Sequence, residues 1–333
     1  MKIKSYASHK KGEELKPYEF EAEEPGRFGI EIKISHCGIC HSDIHMIDND
    51  WMMSGYPLVP GHEIIGVVTK IGEDVKGLMI GQRVGVGWQS ESCHVCEWCS
   101  SGMENLCSEN KGTIVGRHGG FADFIITDSR FAFPIPEKMD SETTAPLLCG
   151  GITVYSPLRF FGAKPKDKIG VIGIGGLGHL AIQFAKAMGC EVTAFSSSPD
   201  KEAEAKSFGA ENFISSKDGN ALKKTAGKLD FIISTVTANL DWIPFVIALK
   251  PTGRLNFVGA SVGNLDIPVG MLLQYKSVSG SMIGGRAMIA EMLEFASRNH
   301  VKAKTELFAF ADVNKAIKKV RDNTIRYRAV LKI

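Results

Sequence analysis

The sequence has no excess of charge of either sign. Its 39 Lys and Arg stand against 37 Asp and Glu, a net charge of +2. Such balance argues against a dedicated nucleic-acid surface and gives no polybasic signal for anionic membranes. A long clean apolar run is also missing. The most apolar region, residues 169–189, is broken by glycines and by His179, Gln183 and Lys186, so no membrane span is expected. The opening residues, Met1-Lys-Ile-Lys-Ser-Tyr-Ala-Ser-His-Lys-Lys11, lack the apolar core of a secretory signal. These absences lead to the expectation of a cytoplasmic, soluble protein without membrane or nucleic-acid partners.

What is present is ordinary in bulk and unusual in arrangement. A chain of 333 residues, 44% hydrophobic and 23% charged, is long enough for two domains. Its eight cysteines fall at 37, 40, 93, 96, 99, 107, 149 and 190. Without a secretory signal, metal ligation is a better default for them than disulfides. The stretch Cys37-Gly-Ile-Cys-His-Ser-Asp-Ile-His45 concentrates the side chains that bind zinc and move protons. Cys40 is read as one ligand of a catalytic zinc whose other ligands lie downstream; a rival clamp would pair Cys37 with Cys40.

In Cys93-His-Val-Cys-Glu-Trp-Cys-Ser-Ser-Gly-Met-Glu-Asn-Leu-Cys107 the thiols of Cys93, Cys96, Cys99 and Cys107 are spaced as in closed tetrahedral zinc loops, so a structural zinc is expected there. A nucleic-acid-binding zinc ribbon would want basic neighbours, and the loop instead carries Glu91, Glu97, Glu104 and Glu109.

Residues 1–36 read as β-rich, with Phe28-Gly-Ile-Glu-Ile-Lys-Ile-Ser35 alternating apolar and polar. Further strands follow Gly61-His-Glu63 and cover 81–88. From about residue 150 strands and helices alternate. The short strand Lys168-Ile-Gly-Val-Ile172 leads at once into Gly173-Ile-Gly-Gly-Leu-Gly178, after which Leu180, Phe184, Ala185 and Met188 share one helical face. In that setting Gly173, Gly175, Gly176, Leu177 and Gly178 form a dinucleotide fingerprint, a turn that lets backbone and helix N-terminus approach a pyrophosphate. Apolar strands at 191–195, 212–214, 229–235, 254–258 and 277–283, with helices near 200–208, 217–226 and 286–298, complete a six-stranded doubly wound sheet.

The second strand of that sheet ends in Ser196, Ser197 and Ser198, with Lys201 beyond. A carboxylate there would hold the ribose 2′-OH of NAD; hydroxyls and a cation suit a 2′-phosphate, which favours NADP(H). Asp200 is the dissenting residue, unless it caps the next helix. Residues 303–333 return to strand character and are expected to rejoin the first domain. The proposed division is 1–149 with 286–333 for the zinc-binding catalytic domain, and 150–285 for the dinucleotide domain.

Together these motifs, with Pro146-Leu-Leu-Cys-Gly-Gly-Ile-Thr-Val-Tyr-Ser-Pro157, resemble the zinc-dependent medium-chain alcohol dehydrogenases, most closely a cinnamyl-alcohol-dehydrogenase-like, NADP-dependent branch. The resemblance covers essentially the whole chain and implies an α/β protein with a GroES-like β-rich catalytic domain and a Rossmann cofactor domain. It implies that Cys40, His62 and Cys149 hold the catalytic zinc, with Glu63 an occasional extra ligand and Asp43 an orienting carboxylate. By the same resemblance Ser42 takes the alcohol proton and His45 relays it. Backbone near Thr235, Val258 and Ile283 is expected beside the nicotinamide, and Trp51, Met53 and Trp88 on the substrate-pocket wall.

One departure concerns Gly119-Gly-Phe-Ala122, which follows Cys107 sooner than in plant cinnamyl enzymes, shortening a loop at the pocket. His41 reads equally as facing the cofactor phosphates or as solvated, and His118 and His179 receive no role.

The expected activity is reversible hydride transfer between NADP(H) and a primary alcohol or its aldehyde, medium-sized or aromatic. Two zinc ions per chain and a homodimer are expected. The rivals are an NAD-dependent polyol or formaldehyde-type zinc dehydrogenase and a noncatalytic zinc- and nucleotide-binding protein.

Overall fold

The strands Gly29–Ile39 and Glu63–Ile71 carry runs of consecutive buried residues, Glu31 and Glu63 among them, so both of their faces are largely covered, and the two pair antiparallel over most of their length. The computed structural model describes residues 1–259 and 264–333, and the chain divides into two compact units. The first comprises Met1–Ile152 and Gly284–Ile333, the second Thr153–Ile283.

The first unit is built on a seven-stranded sheet. Thr305–Ala309 lies parallel to Arg328–Lys332, which pairs antiparallel with Gly29–Ile39. Glu63–Ile71, Arg83–Val86 and Ala132–Pro134 follow in order, and Phe124–Asp128 pairs with Gly29–Ile39 separately. The last residues of the chain therefore lie beside the strand that leads to Cys40. Ile30, Ile32, Ile64, Val84, Phe121 and Leu331 form the core of this unit and are all buried. Among the described residues no helix is long and apolar enough to cross a membrane.

The second unit holds six parallel strands in the order Asn212–Ser215, Glu191–Ser196, Lys168–Ile172, Leu229–Ser234, Leu249–Phe257, Ser277–Gly280. The chain starts in the middle, runs to one edge, then returns to the other side of Lys168–Ile172. Such a switch point leaves a crevice at the carboxyl ends of the central strands. This is the doubly wound sheet expected, with three local differences. The fifth strand begins at Leu249 rather than 254, because its pairing with Leu229–Ser234 shifts register between Leu229 and Phe231. Pro251 and the left-handed Thr252 (φ 67°) hide that early segment from any periodicity argument. The helix expected over 217–226 is the shorter Gly219–Lys223, fixed at its start by the Asp218 carboxylate, which accepts from the Asn220 and Ala221 amides. The sixth strand stops at Gly280, so Ile283 lies beyond it.

Phe195 is fully buried in this sheet, its ring 5.5 Å from the Phe245 ring and nearly perpendicular to it. Phe195→Ala should cost about 3–5 kcal/mol through lost burial and a residual cavity. Chemical unfolding of the variant measures this, and a loss below about 1 kcal/mol would contradict the packing described.

Candidate functional site

The strand Gly29–Ile39 ends at Cys40, which occupies the N-cap of the helix His41–Ile47. One turn into that helix, Asp43 folds its carboxylate back. Oδ2 accepts the Cys40 amide at 2.8 Å, and Oδ1 accepts the Gly61 amide at 2.9 Å and His62 Nδ1 at 3.0 Å. Asp43 and His62 are both wholly buried. Because a carboxylate only accepts here, His62 Nδ1 must donate, and Nε2 is the nitrogen left to face the interior. Nε2 is buried and has no hydrogen-bond partner.

Around that nitrogen stand the Cys40 and Cys149 thiols, 4.0 Å apart, and the Glu63 carboxyl. Cys149 arrives from the turn Ala145–Leu148, just ahead of the helix Gly150–Phe160. One ligand atom from each of Cys40, His62, Glu63 and Cys149 lies within 4.8 Å of all the others. Two thiolates about 2.3 Å from a tetrahedral zinc stand about 3.8 Å apart, so the spacing suits a shared metal; a disulfide is far shorter.

The charges agree. The hydrogen bond from Cys149 draws the Cys40 thiol well below its usual range despite burial, and the same contact, with burial, pushes Cys149 well above it. Burial opposes a charge on His62, but Asp43 and Cys40 outweigh it and hold the imidazole well above its ordinary value. The pocket therefore favours positive charge at Nε2, a proton or a metal ion in competition.

Glu63 is lifted to about 7 by burial, against the pull of Arg328. Arg328 donates to Glu63 Oε1, while Glu63 Oε2 is buried and partnerless. Sequence reasoning overlooked Arg328. Its only signal was a basic residue in the otherwise apolar start of Arg328–Lys332, whose first four residues are all buried.

Ser42 Oγ lies 3.7 Å from Cys40 Sγ. His45, one turn along the same helix, hydrogen-bonds through Nδ1 to Asp50 Oδ2 at 2.8 Å. Asp50 was likewise overlooked. The His45 ring lies 5.1 Å from Trp51, Trp51 is 5.9 Å from Trp88, and Trp88 is 5.0 Å from His62. These rings line one continuous wall beside the metal-ligand cluster. Met53 is 45% exposed and has no place in this chain of rings. Cys37 is fully buried in the core, its Sγ 3.6 Å from the Gly38 carbonyl oxygen, and does not join the cluster.

The Cys93, Cys96, Cys99 and Cys107 sulfurs form a second cluster within 4.8 Å. The Cys96 amide donates to Cys93 Sγ at 3.3 Å and the Glu109 amide to Cys107 Sγ at 3.4 Å. Val95 is 82% exposed and the helix Glu97–Ser100 has no buried residue. The loop lacks an apolar core, and a metal on its four thiolates fits that deficiency.

In the second unit Gly173 sits at φ 87°, and a Cβ on Gly178 would collide with the Gly173 carbonyl oxygen. Gly175 faces open space, with nothing within 4 Å of where a Cβ would be. Gly176 and Leu177 complete the turn ahead of the helix Gly178–Ala187. The Thr235 hydroxyl donates towards the Ile172 and Gly173 carbonyls at 2.9 and 3.1 Å, and Lys201 Nζ donates to the Ile174 carbonyl at 2.8 Å. Ser196 is turned inward, accepting the Ser198 amide at 3.1 Å, whereas Ser197 is exposed. Val258 follows the strand Leu249–Phe257, and its amide donates to the Ser234 carbonyl at 3.0 Å. A shallow turn backed by a helix N-terminus fits a pyrophosphate.

Residues 26–137 match the family described as alcohol dehydrogenase GroES-like domain, and residues 176–298 match zinc-binding dehydrogenase. The aldehyde reductase AdhA of Synechocystis sp. is 44% identical over 99% of this chain and 98% of its own length. The chain belongs to the zinc-dependent medium-chain alcohol dehydrogenase family. A cinnamyl alcohol dehydrogenase of Sorghum bicolor superposes with a TM-score of 0.95 at 39% identity, covering 100% of this chain and 98% of that one. The Helicobacter pylori cinnamyl alcohol dehydrogenase, solved with NADP(H), gives 0.92 at 33%, covering 99% and 98%.

Within such a site the Glu63–Arg328 pair is exposed to its own burial. Replacing Arg328 by Met leaves a buried carboxyl without its counter-charge and should cost about 3–5 kcal/mol. Urea unfolding of Arg328→Met measures it, and stability within about 1 kcal/mol of the parent would show that Glu63 does not depend on Arg328.

Proposed function

We propose that this protein transfers hydride reversibly between NADP(H) and a primary alcohol or its aldehyde, with Cys40, His62 and Cys149 holding the catalytic zinc. The observation that carries the reading is the partnerless, buried Nε2 of His62, set among two thiols and the free oxygen of Glu63. Zinc held there supplies Lewis-acid chemistry, polarising a carbonyl and easing the loss of an alcohol proton. The protein's own groups do the rest. In oxidation the alcohol carbon gives hydride to NADP, and its hydroxyl proton goes to Ser42 Oγ. Ser42 hands its own proton on toward solvent by way of His45, whose Nδ1 is bonded to Asp50 and whose Nε2 is left for proton exchange. Reduction runs the same path backwards. Glu63, held by Arg328, would offer a further oxygen to the metal beside Cys40, His62 and Cys149.

Ser197 and Ser198 with Lys201 serve the 2′-phosphate, and Thr235, Val258 and Ile283 the nicotinamide end. An NAD-dependent polyol enzyme would want a carboxylate at residues 196–198, and none is there. A noncatalytic binding protein has no use for the Ser42–His45–Asp50 relay. Trp51 and Trp88, with Met53 at the rim, suit medium-sized apolar or aromatic aldehydes. Cys93, Cys96, Cys99 and Cys107 hold the second zinc. A homodimer fits the edge strand Ser277–Gly280, beside which Leu273 and Tyr275 are 78% and 86% exposed. A cytoplasmic location fits eight cysteines none of which is joined in a disulfide.

A panel of alcohols and aldehydes assayed with NADPH and NADH should show turnover of medium or aromatic aldehydes, faster with NADPH. Ser197→Asp, at an exposed position, should weaken NADPH binding at least about tenfold while sparing NADH. Equal losses with both cofactors would contradict the assignment of the serine run.

A further inference from the structure

His179 is wholly buried, the second residue of the helix Gly178–Ala187, and it faces the fingerprint turn rather than any metal ligand. Its Nδ1 lies 3.0 Å from the Gly175 carbonyl oxygen, which also takes the His179 amide at 3.2 Å. A carbonyl only accepts, so the ring proton sits on Nδ1. The ring also packs against Phe208, 5.4 Å away and tilted by 60°. One carbonyl is thus gripped twice by one residue.

The reason lies in peptide geometry. Across a planar trans peptide the carbonyl of one residue and the amide of the next point in opposite directions. Pinning the Gly175 carbonyl toward the helix turns the Gly176 amide the other way. Gly175 has no side chain to hold the peptide plane and nothing within 4 Å of where a Cβ would be, so its carbonyl is held by the two bonds from His179, of which the imidazole's is the shorter. A flipped peptide would present a carbonyl oxygen, instead of an N–H, to an approaching pyrophosphate.

We infer that His179 is a positioning residue for the dinucleotide: its Nδ1–H locks the Gly175–Gly176 peptide with the amide facing the pyrophosphate. The inference rests on the reading of the turn as the NADP(H) site. It touches neither the hydride nor the proton path, so its loss acts on cofactor affinity and leaves the chemical step alone.

The test is NADPH binding by nucleotide fluorescence, without substrate, on the parent and on His179→Asn, His179→Leu and His179→Met. Asn keeps a donor near the Nδ1 position, while Leu and Met fill the space without one. The expected result is an NADPH Kd raised on the order of tenfold in the Leu and Met variants and within about twofold of the parent in Asn. Steady-state assays should show the same rise in KM for NADPH, with kcat and the aldehyde KM unchanged. Equal Kd values for the parent and a folded Leu or Met variant would overturn the inference, as would an equal loss in Asn and Leu. Should neither apolar variant fold, the imidazole 15N spectrum of the parent decides: protonation at Nδ1 supports the lock, and a neutral Nε2–H tautomer overturns it. A parent that binds no NADPH contradicts the cofactor reading instead, so the two failures are told apart.

Discussion

The first unit's site depends on one buried carboxylate. Asp43 accepts from the amides of Cys40 and Gly61 and from His62 Nδ1. Three donors from two distant parts of the chain converge on one side chain in an environment that punishes any unmet polar group. That convergence places the end of one strand beside the start of another and sets the orientation of the imidazole. A metal-ligating histidine is commonly fixed in this way by a carboxylate on its other nitrogen. Cys40 and His62 inherit their positions from this arrangement.

Charge is the second constraint. Two thiols and a glutamate are buried around one nitrogen, and beside them stands the Arg328 guanidinium, itself 5% exposed. The Glu63 carboxyl, the Cys40 thiol and the Cys149 thiol together raise the Arg328 guanidinium above its usual value, Glu63 acting first once burial is overcome. One arginine cannot balance three acidic groups, and a divalent cation held there would supply what is lacking. The four-cysteine loop shows the same logic on a surface without a core.

Much of the fold was legible because its signals are local. The alternation in Phe28-Gly-Ile-Glu-Ile-Lys-Ile-Ser35 and the run from Lys168 through the glycines to Leu180 each state their structure within a few residues. The strand at Leu249 was not legible past Pro251 and Thr252, since a register shift has no sequence period. The site was legible in inverse proportion to sequence distance. Cys40, Ser42, Asp43 and His45 share one short stretch. Cys149, 109 residues from Cys40, entered only through resemblance to a family, and Arg328, 265 residues from Glu63, did not enter at all. No spacing rule reaches a partner delivered by the last strand of a sheet. His179 received no role for another reason: a histidine in an apolar helix gives no sign of the backbone carbonyl that it holds.

The central claim is that Cys40, His62 and Cys149 hold a metal distinct from the one in the four-cysteine loop. Metal analysis of the purified protein and of Cys149→Ser, alongside turnover and thermal unfolding, tests it most directly. The account predicts two zinc ions per chain in the parent. In the variant it predicts about one zinc, a retained fold and NADPH binding, and no measurable turnover. A parent with a single zinc, or a Cys149→Ser protein that keeps both ions and full activity, would contradict it.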